Sequence, residues 1–173
     1  IEAELAARLQ HPNIVQIHEI GEHDGIPYFS MELISGGSLA EATRDHPLPV
    51  AEAARIVMVL AWAVDYAHQQ GVIHRDLKPS NVLLQPSDRS EAIELSKVEQ
   101  GGTVSPPIKD RFELKIADFG LAKLMVAGEI QTITGTTLGT PSYMAPEQID
   151  GAQVGIGPAC DVYALGAILY TLL

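Results

Sequence analysis

The sequence predicts an α+β fold, on three observations. Strand-like segments are short and come in neighbouring pairs, Ile14–Ile20 with Ile26–Leu33 and later Val82–Leu84 with Phe112–Ile116. A long alanine-rich stretch, Pro49 to Gln70, carries helical spacing, and an apolar helix follows Asp161. Hydrophobic residues make up 46% of the 173, enough for one sizeable core.

Residues 2–9 read as a helix, with Leu5 and Leu9 on one face and Glu2 and Glu4 in the first turn, and Pro12 ends it. The polar Glu22-His23-Asp24-Gly25 suits a hairpin turn between the first two strands. Gly36-Gly37 breaks the second strand, and Ser38 is positioned to cap a helix over Leu39–Ala42. This glycine pair lacks the third glycine and the basic residue of a phosphate loop, so it reads as a hinge. Gly71 stops the long helix. Val72-Ile73 and Val82-Leu83-Leu84 read as short strands flanking a polar loop. Residues 85–111 hold Pro86, Pro106, Pro107 and Gly101-Gly102 without sustained periodicity, which predicts a disordered insertion inside a hairpin.

The net charge of −11 argues against a nucleic-acid partner, because phosphate backbones are bound by Lys and Arg. One cysteine, Cys160, excludes a disulfide within the chain. The longest apolar run, Val162 to Leu173, is too short to span a bilayer and reads as a buried helix. His11, His18, His23, His46 and His68 show no metal-ligand spacing and read as surface or packing residues.

The chemistry concentrates in His74-Arg75-Asp76-Leu77-Lys78-Pro79-Ser80-Asn81, followed by Asp118-Phe119-Gly120 and Ala145-Pro146-Glu147. A carboxylate at Asp76 can orient a hydroxyl and take its proton. Lys78 can neutralise charge on a phosphoryl group in transfer. Asn81 and Asp118 offer hard oxygen ligands for magnesium. Three motifs in this order resemble a eukaryotic-type serine/threonine protein kinase of bacterial look, and the resemblance covers essentially the whole chain.

The resemblance implies a two-lobed α+β kinase fold, with residues 1–34 the remnant of the small lobe and hinge and 35–173 the first part of the helical large lobe. It implies ATP and Mg2+ as cofactors and Ser/Thr-bearing proteins as substrates. Met31 would be the gatekeeper, backbone groups of Glu32 and Ile34 would meet adenine, Leu83 would floor the pocket, and Ser80 would join the ATP site. Glu2 falls where the family's helix glutamate lies, with Glu4 the alternative. Thr140 matches the threonine that contacts the catalytic aspartate and lysine. Activation-segment phosphorylation is expected at Thr136, with Thr132, Thr134 and Thr137 also in the cluster, received by Arg75 and Lys123. Phe119 and His74 are expected to pack in the core.

No G-x-G-x-x-G loop precedes a strand, and no V-A-I-K lysine occurs. The expectation is a fragment of a kinase domain that transfers phosphate poorly by itself, in a cytoplasmic domain whose membrane tethering is left open. The alternative is a pseudokinase or scaffold, which the intact catalytic positions disfavour. A small-molecule phosphotransferase is disfavoured because those enzymes show H-G-D in place of His74-Arg75-Asp76.

Overall fold

The computed structural model describes residues 2–45, 47–87, 107–119, 141–149 and 156–173, with the side chains of 2–4, 109 and 141 outside that description. Helix α1 spans Glu2–Ala7, shorter than the sequence suggests, and its Ala6 and the following Leu9 turn into the core. Strands β1 (Ile17–His23) and β2 (Ile26–Met31) pair antiparallel, with His23 opposite Ile26. The connection is a two-residue turn, Asp24-Gly25, with φ of 51° and 79°. Both residues sit in the left-handed region that a twist-matched hairpin turn requires, which suits Asp-Gly. The turn is therefore tighter than the expected 22–25, and β1 runs on to His23.

The first strand also begins later than expected, because residues 13–15 have another partner. The amide of Val15 donates to Ile116 O at 2.9 Å, and that of Ile116 donates to Asn13 O at 2.8 Å. Ile14 thus bridges in parallel to the strand β4 defined below and leaves the hairpin. This is the seam between the small hairpin and the helical part.

Helix α2 (Leu39–Ala42) starts at Ser38 with a reciprocal cap. The Ser38 N–H donates to Glu41 Oε2 at 2.8 Å, and the Glu41 N–H donates to Ser38 Oγ at 3.3 Å. Just before it, a Cβ on Gly36 would lie 2.1 Å from Leu84 O, so only glycine lets the chain cross there. Close packing explains Gly36, and the left-handed φ of 78° explains Gly37.

Helix α3 (Val50–Gln69) buries Ala53, Ile56, Leu60, Ala63, Val64 and Ala67 on one stripe. Its end is closed by Gly71 N–H on His68 O and Val72 N–H on Ala67 O, both at 2.9 Å, the paired bonds of a Schellman stop. Because Val72 caps the helix, Val72-Ile73 is not the expected strand. A 3-10 turn at Pro79–Asn81 leads into β3 (Val82–Pro86). After α4 (Ile108–Arg111), β4 (Phe112–Ile116) returns antiparallel, with Val82 opposite Ile116. The interruption expected at 85–111 is thus ordered at both ends, and its interior lies outside the described residues. Its return is anchored by Glu52, a buried α3 carboxylate that accepts the Ile108 N–H.

A 3-10 turn at Pro141–Tyr143 precedes α5 (Pro146–Ile149), and α6 spans Ala159–Leu172. Helix α6 packs Ala164, Leu165, Ile168 and Leu172 against the α3 stripe within a single core. Small residues at 53, 63, 67 and 164 bring the helices close, while fully buried Leu60 and Ile168 supply apolar area at roughly 1.5–3 kcal/mol each. Among the described residues no helix is long and apolar enough to cross a membrane.

Candidate active site

The β3–β4 hairpin places the chemistry. Loop 74–81 feeds β3 from one end, and Ala117 and Asp118 leave β4 at the same end. The Ala117 N–H donates to Asn81 O at 2.8 Å, so Asn81 and Asp118 meet across one backbone hydrogen bond. Asp118 is exposed, at φ 63°, while Phe119 turns inward at 4% exposure. Its ring lies 4.7 Å from that of His74, as a core aromatic beneath the two oxygen donors should.

His74 is fully buried, and its bonds define its tautomer. Nε2 faces Ala117 O at 2.9 Å, an atom that only accepts, and Nδ1 lies 3.3 Å from the Asp76 N–H, which only donates. The ring is therefore Nε2-protonated and neutral. Burial holds its pKa below the ordinary histidine value, against the opposing pull of Asp161, Asp76 and Asp118. His74 is a strut rather than a base, as its packing role predicts.

Asp161, in the first turn of α6, organises the same loop from the other side. At 1% exposure, its Oδ2 accepts the His74 N–H at 2.9 Å and lies 2.7 Å from His68 Nε2, while Oδ1 accepts the Arg75 N–H at 2.8 Å. A buried carboxylate is tolerable only with such saturation. The neighbouring Cys160 thiol is pushed up to about 12, chiefly by burial and then by Asp161, so it is no nucleophile.

On the outward side, Lys78 Nζ lies 2.7 Å from Asp76 Oδ2, an ion pair half open to solvent. The Asn81 amide donates through Nδ2 to Asp76 O at 2.9 Å and, more weakly, to Asp76 Oδ2 at 3.4 Å. With its nitrogen committed to Asp76, the Asn81 amide turns Oδ1 into the ligand-capable atom. Asp76, Lys78, Asn81 and Asp118 are thus gathered at one mouth of the fold. Asn81 Oδ1 and the exposed Asp118 carboxylate are hard oxygens on adjacent strand ends, a donor pair that fits magnesium shared with substrate phosphates and water.

The residues expected on the nucleotide side are Met31, Glu32, Ile34, Ser80 and Leu83. Met31, the expected gatekeeper, ends β2, is exposed at 42%, and lines a small cavity with Ile17, Ile116, Asp118 and Phe119. The Glu32 N–H is already given to Gln16 O at 3.0 Å, which leaves its carbonyl, not its amide, for an adenine edge. Its side chain accepts from Gln16 N at 2.7 Å and Lys115 Nζ at 2.9 Å. Burial raises the Glu32 pKa, but the Lys115 and Gln16 bonds outweigh it and hold the carboxyl below the ordinary range. Ile34 and Leu83 are half-buried, and Leu83 bridges Ser38; Ser80 is exposed beside Asn81.

Lys123, Thr132, Thr134, Thr136, Thr137 and Thr140 lie outside the described residues, as does the Glu2 side chain. Sequence reasoning passed over Asp161 as a site residue, took His68 for surface or packing, and did not single out Lys115 or Gln148. Gln148 donates to Arg75 O at 2.7 Å from 73 positions away. The one local signal was an acid, Asp161, abutting a long apolar run.

The chain matches the family described as "Protein kinase domain" over residues 1–173. Serine/threonine-protein kinase PknJ of Mycobacterium tuberculosis is 37% identical over 99% of the chain, and pkn3 of Myxococcus xanthus is likewise 37% identical over 99%. The chain spans about a quarter of the length of these curated relatives, 25% and 28%. Among solved structures, the Mycobacterium tuberculosis PknI kinase domain aligns over 98% of this chain and 53% of its own, with TM-score 0.65 and 32% identity. Rad53 in complex with AMP-PNP aligns over 99% of this chain and 36% of its own, with TM-score 0.69 and 28% identity. End-to-end similarity in sequence and in fold, around a loop wired in this way, makes the chain a member of the protein kinase domain family.

Proposed function

We propose that this chain forms the catalytic-loop part of a protein serine/threonine kinase that transfers the γ-phosphoryl group of ATP to a Ser or Thr hydroxyl of a protein. The carrying observation is the Asp76 carboxylate, ion-paired with Lys78 at 2.7 Å, on a residue whose backbone carbonyl is held by the Asn81 amide at 2.9 Å. Asp76 orients the acceptor hydroxyl and takes its proton as the new O–P bond forms. Lys78 sits where it can follow the negative charge from Asp76 to the transferred phosphoryl oxygens. Asn81 and Asp118 would hold Mg2+, which when bound neutralises phosphate charge and orients the nucleotide. The Glu32 carbonyl and the Ile34 backbone would meet the adenine edge, with Met31 and Leu83 around the ring. The naming of relatives as serine/threonine kinases supports the acceptor class, and the AMP-PNP in Rad53 supports the nucleotide.

In the whole protein, Asp76→Asn keeps the shape of the loop and removes the proton acceptor. Phosphorylation of myelin basic protein from radiolabelled ATP should fall by at least roughly a hundredfold with ATP binding retained. Transfer at the wild-type rate by Asp76→Asn would refute the assignment. Residues 1–173 alone hold neither a glycine-rich loop nor the strand lysine, so the isolated segment is expected to transfer little.

A further inference from the structure

We infer that Gln148 is a positioning residue for phosphoryl transfer, setting the orientation of the Arg75–Asp76 peptide and thereby of the Asp76 carboxylate. The inference rests on the catalytic reading of Asp76. Arg75 has φ 67°, in the left-handed region that a residue with a Cβ rarely occupies. A backbone held there relaxes unless its surroundings over-determine it. Three bonds do so. The Arg75 N–H donates to Asp161 Oδ1 at 2.8 Å, and the Asp76 N–H lies 3.3 Å from His74 Nδ1. The Arg75 carbonyl, the remaining polar group of the peptide joining Arg75 to Asp76, accepts from Gln148 Nε2 at 2.7 Å.

The Gln148 amide can adopt only one orientation here. Its Oε1 accepts the Ala145 N–H at 3.0 Å, a group that only donates, so Nε2 must face Arg75 O, a group that only accepts. Gln148 stands on α5, immediately after Ala145-Pro146-Glu147, and is part-buried. One side chain thus joins the start of α5 to the peptide whose rotation would swing the Asp76 carboxylate. Asp161 on α6 holds the preceding peptide through the Arg75 N–H, His74 within the loop holds the Asp76 N–H, and Gln148 supplies the one of the three bonds that comes from α5. A shift of about 1 Å at a reacting group can lower a rate on the order of a hundredfold.

The test uses the whole protein, with single-turnover transfer to myelin basic protein, KM for ATP and thermal unfolding all measured. Gln148→Met keeps the length and loses both bonds. Gln148→Glu keeps an acceptor for Ala145 and loses the donor to Arg75. Both variants are expected to lower the single-turnover rate roughly tenfold to a hundredfold, with KM for ATP within about twofold and the folded fraction unchanged at the assay temperature. A rate for Gln148→Glu equal to wild type would overturn the proposal, because the Arg75 bond is then dispensable. So would a loss in Gln148→Met that merely tracks its unfolded fraction. Asp76→Asn, run alongside, separates the two readings. If it stays active, the role of Asp76 is wrong; if it is inactive while both Gln148 variants match wild type, only the role of Gln148 is.

Discussion

Loop 74–81 and the β1–β2 hairpin are both short segments, yet they are held by opposite means. Loop 74–81 is wired by groups distant in sequence: the side chains of Asp161 from α6 and Gln148 from α5, and the backbone carbonyl of Ala117 after β4. The hairpin is wired by its own register and its two-residue turn, and exposes Ile26 at 69%, with Leu33 just beyond it at 88%. Its ties to the remainder are few, chiefly the bonds of residues 13–15 to Ile116 and the Glu32–Lys115 pair. The difference teaches where precision is demanded. In the role proposed for Asp76, a reacting carboxylate must be held to a fraction of an ångström, which local turn chemistry cannot do. A hairpin with no such demand on it needs only its register.

If that contrast is right, the largest effect belongs to Asp161. Asp161→Ala leaves the buried amides of His74 and Arg75 without their acceptor, and should lower unfolding stability by about 3–5 kcal/mol. Urea titration of the whole protein reads it, and a loss below about 1 kcal/mol would show that the loop does not depend on α6. Next comes the seam. Lys115→Met strands the Glu32 carboxylate, three-quarters buried in its side chain, and should cost about 1–2 kcal/mol, between the exposed and the buried limits. KM for ATP should rise a few-fold as Glu32 loosens; an unchanged KM would show that the pair only staples strands. The smallest effect is expected at the turn. Gly25 has φ 79° with open space around it, so Gly25→Ala suffers only from its backbone, by about 1 kcal/mol. Its single-turnover rate should match wild type, and a slowed rate would erase the contrast between the two regions.

What the sequence by itself determined is what depends on neighbours a few positions apart. Helical spacing marked α3, Ser38 marked a cap, the polar Glu22–Gly25 marked a turn between two strands, and the run from His74 to Asn81, with the two motifs after it, marked the family. Two of the errors fell where a short apolar run had two possible partners. Residues 13–15 joined β4 instead of β1, and Val72 closed α3 instead of forming a strand, because periodicity says which face is apolar and not what will cover it. Tertiary structure alone decided the support of the site. Asp161 reaches His74 across 87 positions, His68 reaches Asp161 across 93, and Lys115 reaches Glu32 across 83. A polar side chain carries no mark of its distant partner in its own neighbourhood. Only packing α3 against α6 and pairing β3 with β4 excludes water from Asp161 and His74, and that exclusion turns ordinary polar residues into the frame of Asp76.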